Sequence, residues 1–183
     1  MTDPVIETAR LILRVPEASD LDGWCAMTAD EETMRFIGGT AGRSSTWRQL
    51  CTIRGAWAIR GFSMFSVIEK ASDAWIGRVG PWEPEGWPAQ EVGWAVTPQA
   101  AGHGYAHEAA VAALDYVFDT LGWDDVIHVI NPANTRSIAL ARRLGSSHRG
   151  QTLLPEPFHE APVDAWGQSA AEWRARRAGL AGR

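Results

Sequence analysis

The sequence predicts a mixed α/β fold, and three observations carry that prediction. Short apolar, β-branched runs at residues 8–14, 62–68, 74–82 and 91–96 read as strands. After the last of them, Ala106, Ala109, Ala110, Ala113, Leu114, Val117, Phe118 and Leu121 recur at helical spacing. The chain then alternates strand, helix, strand and helix over 126–130, 134–144, 163–168 and 170–178. An antiparallel sheet completed by such units is a mixed α/β arrangement.

The elements follow in order. After the first strand, Glu17–Met27 reads as a short helix with Asp20, Asp22 and Asp30 on its solvent face. The loop Gly38–Ser45 is rich in glycine and ends in an N-cap serine, so a helix is expected from Thr46 to about Ile59. Ala71-Ser72-Asp73 breaks the next two strands. The segment Glu83–Ala89 holds too much proline and glycine for regular structure. No repeat, low-complexity tract or linker interrupts residues 1–183, which are expected to form a single domain.

Composition narrows the function. With 45% hydrophobic and 21% charged residues, the chain has the balance of a soluble globular protein. Its net charge of −5, without a lysine or arginine block, argues against a nucleic-acid partner. No long apolar run suggests a membrane span or an export signal. Cys25 and Cys51 are isolated, as expected of reduced thiols in the cytoplasm. The ten tryptophans serve either as packing or as pocket walls.

The segment Val96-Thr97-Pro98-Gln99-Ala100-Ala101-Gly102-His103-Gly104-Tyr105-Ala106 carries the most functional information. It reads as a strand end, a glycine-bearing turn and the start of the long helix. Gly102 and Gly104 lack a Cβ, which permits a tight turn and close approach to a ligand. Free N–H groups at the helix start, with the positive dipole end, favour a phosphate-type anion.

This segment resembles the acyl-CoA signature of the GNAT superfamily of N-acetyltransferases, Gln/Arg-x-x-Gly-x-Gly/Ala, as Gln99-x-x-Gly102-x-Gly104. Asn134 through Gly145 resembles the Asn-x-x-Ser-x-x-x-x-x-Lys/Arg-x-Gly element of the branch containing ribosomal-protein N-terminal acetyltransferases. Glu7-Thr8-Ala9-Arg10-Leu11-Ile12-Leu13-Arg14 resembles that branch's first strand, ETxRLxLR. The resemblance implies a mostly antiparallel, twisted sheet of about six to seven strands flanked by helices. It also implies acetyl-CoA as cosubstrate, no metal, an amine acceptor (small molecule or protein N-terminus) and direct attack in a ternary complex. Homodimers are common in the family.

Site residues follow from the motifs and the resemblance. Ala101, His103, Tyr105 and Ala106, with the two glycines and Gln99, are expected to hold the pyrophosphate of CoA. Trp94, Ala95 and Val96 would pair with the pantetheine arm, beside a bulge at Gly93. A strand N–H near Val96 would meet the thioester oxyanion. Asn134 would hydrogen-bond the pantetheine amides or cap the helix it precedes. Glu91 is the candidate general base, and its alternative is a solvated strand-end carboxylate. Ser137 is the candidate acid or thiolate hydrogen-bond donor, and its alternative is a helix-start residue. Many members carry a tyrosine acid where this chain has Ala141, which leaves Ser137 or water for the task. Ser146, at a usual phenylalanine position, alters packing.

Arg142 and Arg143 reach CoA phosphates or are simply solvated. Glu108 is expected to hold loop contacts. His103 and His107 lack a third metal ligand. Trp82 and Trp87 would wall an amine pocket near the Gly38–Ser45 loop, or pack the loop. A dinucleotide site is excluded because G-x-G-x-x-G is incomplete, and a P-loop because Gly-Lys-Ser/Thr is missing. The missing tyrosine motivates one alternative, a nonenzymatic acyl-CoA-binding or regulatory module.

Overall fold

In the computed structural model, which describes residues 3–181, the N-terminal strand is a hairpin. Strand β1 (Val5–Glu7) folds back on β2 (Leu11–Arg14), so residues 8–10 are a turn and not the start of a strand. The Thr8 hydroxyl fixes this turn by accepting the Leu11 N–H at 2.9 Å. Along β2, Leu11 and Leu13 enter the core while Ile12 and Arg14 alternate outward.

Helix α1 (Leu21–Ala29), the single turn α2 (Glu31–Met34) and α3 (Arg43–Arg60) follow. Asp20 is not on a wet face. It is buried, paired with Arg14 at 2.6 Å, and accepts hydrogen bonds from Ser66 Oγ and the Glu17 N–H. Helix α3 starts three residues before the expected Thr46, with Gly42 rather than a serine as N-cap. It buries Thr46, Leu50, Ile53 and Trp57, one stripe at helical spacing. Gly61, in the left-handed conformation, ends it.

The remaining elements are β3 (Phe65–Glu69), β4 (Ala74–Trp82), β5 (Glu91–Val96), α4 (Tyr105–Asp115), β6 (Asp125–Ile130), α5 (Thr135–Leu144), β7 (Ser147–Thr152), β8 (Val163–Ser169) and α6 (Ala170–Ala181). Helix α4 runs on into a wider turn over Tyr116–Thr120. Eight strands form one sheet in the order β1-β2-β3-β4-β5-β6-β8-β7, more than the six to seven expected. The additions are β1 and β7. Strand β7 escaped the sequence reading because Ser-His-Arg-Gly-Gln-Thr has no apolar alternation. All neighbouring pairs are antiparallel except β5 and β6.

Helices α1 and α3 cover one face of the sheet, where Trp24, Met27, Leu50, Ile53, Met64 and Ala95 cluster. Helix α4 covers the other, burying Ala109, Ala110, Ala113 and Leu114 against Leu11, Phe65, Val79 and Val92. Its small residues let the helix lie close over the strands. Among the described residues, no helix is long and apolar enough to cross a membrane.

Candidate functional site

Strands β5 and β6 touch at one ladder position, Glu91 opposite Ile127, where the Ile127 N–H donates to the Gln90 carbonyl at 2.8 Å. Beyond it they diverge. Gly93 is not a bulge: it pairs in register with Gly80, and the irregularity in this region lies between β3 and β4. The wedge arises because the parallel ladder stops, which leaves one edge of β5 without a partner.

Strand alternation decides which groups face the gap. The Val92 carbonyl points toward β6, where it accepts from His128 Nδ1 at 2.7 Å. Trp94 and Val96 have the same parity and present their N–H and C=O groups to the opening. Ala95 points the other way: a Cβ on Gly77 of β4 would collide with its carbonyl.

Two side chains bridge the wedge. Glu91, buried at its closed end, accepts the Val129 N–H at 3.0 Å and Trp87 Nε1 at 2.6 Å. Burial pushes its carboxyl up to about 7 from 4.5, while the Val129 and Trp87 donors and the Arg78 charge pull the other way. Across the gap, Trp94 Nε1 donates to Ser137 Oγ at 3.3 Å. Asn134 is the N-cap of α5, its Oδ1 accepting the Ser137 N–H at 3.1 Å. The Ser137 hydroxyl keeps its own proton to donate.

At the open end, the turn after β5 leads into α4. Gly102 and Gly104 have φ of +82° and +80°, conformations glycine adopts at no steric cost. The first helical bond runs from the Glu108 N–H to the Gly104 carbonyl. The N–H groups of Tyr105, Ala106 and His107 therefore lack an intrahelical acceptor. Gln99, Ala101 and His103 are exposed around this turn. A Cβ on Gly102 would meet no atom within 4 Å, so its surroundings are open.

The N-terminal hairpin latches this turn in place. Glu108 accepts from Thr8 Oγ1 at 2.6 Å, the Arg10 N–H at 2.9 Å and Arg10 Nε at 2.7 Å. Arg10 also donates to the His103 carbonyl and lies over the Tyr105 ring. The Tyr105 hydroxyl donates to Glu69, so its side chain is already engaged. A groove of about 970 Å³ runs from Gly104 and His107 past Arg143 to α6. Arg142 turns away from it, over the Trp166 ring. No group of three or more metal-ligating side chains occurs among the described residues.

Sequence reasoning missed a buried polar chain beside the wedge. His128 Nδ1–H donates to Val92, so Nε2 accepts from Ser146 Oγ–H at 2.9 Å, and Gln168 Nε2 donates to the same oxygen. Ser146 thus serves hydrogen bonding as well as packing. It also missed Trp87 as the partner of Glu91, although Trp82 and Trp87 do pack together edge to face at 6.3 Å.

Known proteins share this architecture. The acetyltransferase (GNAT) domain family matches residues 10–147. An uncharacterized N-acetyltransferase, YnaD of Bacillus subtilis, is 28% identical over 146 residues, 79% of this chain and 84% of the relative. An acetyltransferase from Agrobacterium tumefaciens superposes with a TM-score of 0.81 at 26% identity, covering 92% of this chain and 95% of its own. A ribosomal-protein-S5-alanine acetyltransferase from Vibrio fischeri shares the fold at 16% identity, with a TM-score of 0.70 over 93% of this chain and 99% of its own. With a wedge between β5 and β6, a glycine turn feeding α4 and a family match across most of its length, the chain belongs to the GNAT acetyltransferases, enzymes that transfer an acyl group from acetyl-CoA.

Proposed function

We propose that this single-domain enzyme acetylates a primary amine by direct attack within a ternary complex, with Glu91 as general base. The observation that carries this reading is the Glu91 carboxyl, buried at the closed end of the wedge, held by the Val129 N–H and Trp87 Nε1, and pushed up to about 7 by that burial. A base that is half ionised at working pH accepts a proton most effectively. The bound cosubstrate supplies an acetyl group activated as a thioester.

The residues present fit that cosubstrate. The N–H groups of Tyr105, Ala106 and His107 and the two left-handed glycines form a cradle for a diphosphate. The free edge of Trp94 and Val96 suits the amides of the pantetheine arm. Glu91 takes the proton as the amine nitrogen bonds to the carbonyl carbon. A strand N–H near Val96 that faces the gap and is not paired with the arm stabilises the negative charge on oxygen. As the C–S bond breaks, the Ser137 hydroxyl hydrogen-bonds the leaving sulfur, which takes its proton from solvent. The amine enters from the side of Trp82, Trp87 and the Gly38–Ser45 loop.

Release of free thiol from acetyl-CoA, measured against a panel of amines and N-terminal peptides, tests the proposal. Initial rates varied in both substrates should give intersecting lines; parallel lines indicate a covalent acyl-enzyme and overturn direct attack. Ser137→Ala should lower kcat about tenfold with little change in the acetyl-CoA KM, because one hydrogen bond to a developing charge is lost. An unchanged kcat removes Ser137 from the chemistry.

Gly104→Val should weaken CoA binding by at least about tenfold and cost about 1–2 kcal/mol of stability, since a β-branched residue resists φ near +80°. Calorimetry with CoA and a denaturant melt read the two effects separately. Unchanged affinity excludes this turn as the diphosphate cradle.

A further inference from the structure

Arg78 is a charged side chain in the wedge's neighbourhood that the proposed chemistry leaves unused. It stands on β4 opposite Ser66 of β3 and Ala95 of β5, on the face covered by α1 and α3. Its only side-chain hydrogen bond among the described residues is from Nη1 to the Met64 sulfur at 2.8 Å, and a thioether is a weak acceptor. Nε is buried without a partner. The Trp24 ring lies 5.9 Å from the guanidinium carbon, and its own Nε1 is likewise buried and unpartnered.

Nearby groups are committed elsewhere. Ser66 Oγ donates to Asp20 and accepts from Trp75 Nε1. Asp20 in turn is matched to Arg14, whose Nη1 and Nη2 both donate to its carboxylate. Glu91 acts on Arg78 through space only, without an ion-pair contact. Burial accordingly pulls the guanidinium down to about 10. Arg78 is half-buried as a residue, with its Nε cut off from solvent; buried donors in native proteins are normally satisfied, and a cation drawn out of water normally has a counter-charge.

Between Arg78 and Glu91 the two strands contribute no side chain of their own on this face, and Met64 occupies the interval. Trp82–Glu91 lies on the same face as Arg78–Ala95, and the same-face pair between them is Gly80–Gly93, without side chains. Met64 lies across this gap: its sulfur meets Arg78, and its terminal methyl carbon is 2.8 Å from where a Gly93 Cβ would be. An unbranched, flexible side chain fills the hollow and can swing aside.

We infer that the acetyl acceptor carries a carboxylate as well as its amine, and that the Nε–Nη2 edge of Arg78 binds that carboxylate while the amine reaches Glu91. The inference rests on the placement of the amine at Glu91 proposed above. A guanidinium edge offers two parallel donors, which match a carboxylate bidentately. The acceptor is thus an amino acid or an amine of similar chemistry, not a polyamine.

The test compares acceptors in matched sets by thiol release: ω-amino acids from glycine to 6-aminohexanoate, their primary amides, alkylamines of equal length and diamines. For the wild-type enzyme, the best acid should exceed its amide about 10- to 100-fold in kcat/KM, as expected for paired charged hydrogen bonds. Arg78→Met should erase that preference mainly through KM, and Arg78→Lys should restore part of it. Amides or diamines that match the acids in wild type, or a preference that survives Arg78→Met, overturn the inference.

A second measurement does not depend on turnover. Calorimetry of the CoA-loaded protein with the N-acetylated acids should show binding that Arg78→Met abolishes while CoA affinity is retained, which also verifies that the variant folds. No binding of these acids to the wild type overturns the inference. If no acceptor in any set releases thiol, the binding measurement still decides the role of Arg78.

Discussion

Glu91→Gln is expected to lower kcat/KM about 10²–10³-fold near pH 7, within the range a positioned general base contributes. Glutamine is the right probe because its Oε1 still accepts the Val129 N–H that Glu91 binds at 3.0 Å, although its amide nitrogen cannot accept the Trp87 Nε1 bond. What disappears is a site for the proton. An amine with a lysine-like pKa near 10.4 costs about 4–5 kcal/mol to deprotonate at pH 7, and without the carboxylate solvent must bear that step. The pH profile separates this from simple damage. In the wild type, log kcat/KM should rise through about 7 as the buried carboxyl ionises. In the variant that limb vanishes and the rate climbs with the fraction of neutral amine, so the deficit shrinks as pH approaches the amine's own pKa. A constant deficit at all pH values would show that Glu91 holds structure only.

The wedge was legible in part. Strand β5 occupies the expected Glu91–Val96, and α5 ends at the expected Leu144, because both carry clear periodicity and, for α5, a closing glycine. The glycine turn was legible because left-handed backbone needs a residue without a Cβ, and Gly102 and Gly104 stand where it occurs. The origin of the splay was not. It depends on a parallel ladder that stops after one pair, a non-local event that a local glycine at position 93 only seemed to signal.

Arg78, Asp20 and His128 were equally hidden. A lone charged or polar residue within a strand or at a helix start reads as solvated until the elements that bury it are assembled. Asp20 needs β2 and β3 to bring Arg14 and Ser66 to it, and His128 needs the turn after α5 and β8 to supply Ser146 and Gln168. Glu108 marks the opposite case. Its expected role as a holder of contacts is met by Thr8 and Arg10, which lie in the same hairpin motif that pointed to the family.

Glu91 and His128 should also oppose each other in the pH dependence of stability. His128 is buried neutral, and burial pulls it down from 6.5 to about 4. Between those values the unfolded chain binds a proton there and the native state does not, so stability rises with pH by about 1.4 kcal/mol per unit. Its contribution is complete above 6.5 and is lost as pH falls through 4, about 3 kcal/mol in all. For Glu91, raised from 4.5 to about 7, the sign reverses. The native state holds a proton that the unfolded chain has released, so this contribution is complete below 4.5 and is lost as pH rises through 7. Between about pH 5 and 6 the two slopes cancel. Glu91→Gln should therefore leave a protein whose stability, from urea unfolding, falls on acidification by about 1.4 kcal/mol per pH unit relative to wild type. His128→Gln should show a slope of the opposite sign. Because each result is a slope, a uniform loss of stability from the substitution itself does not obscure it. Wild-type slopes in both variants would mean that neither group is held in the protonation state its burial imposes.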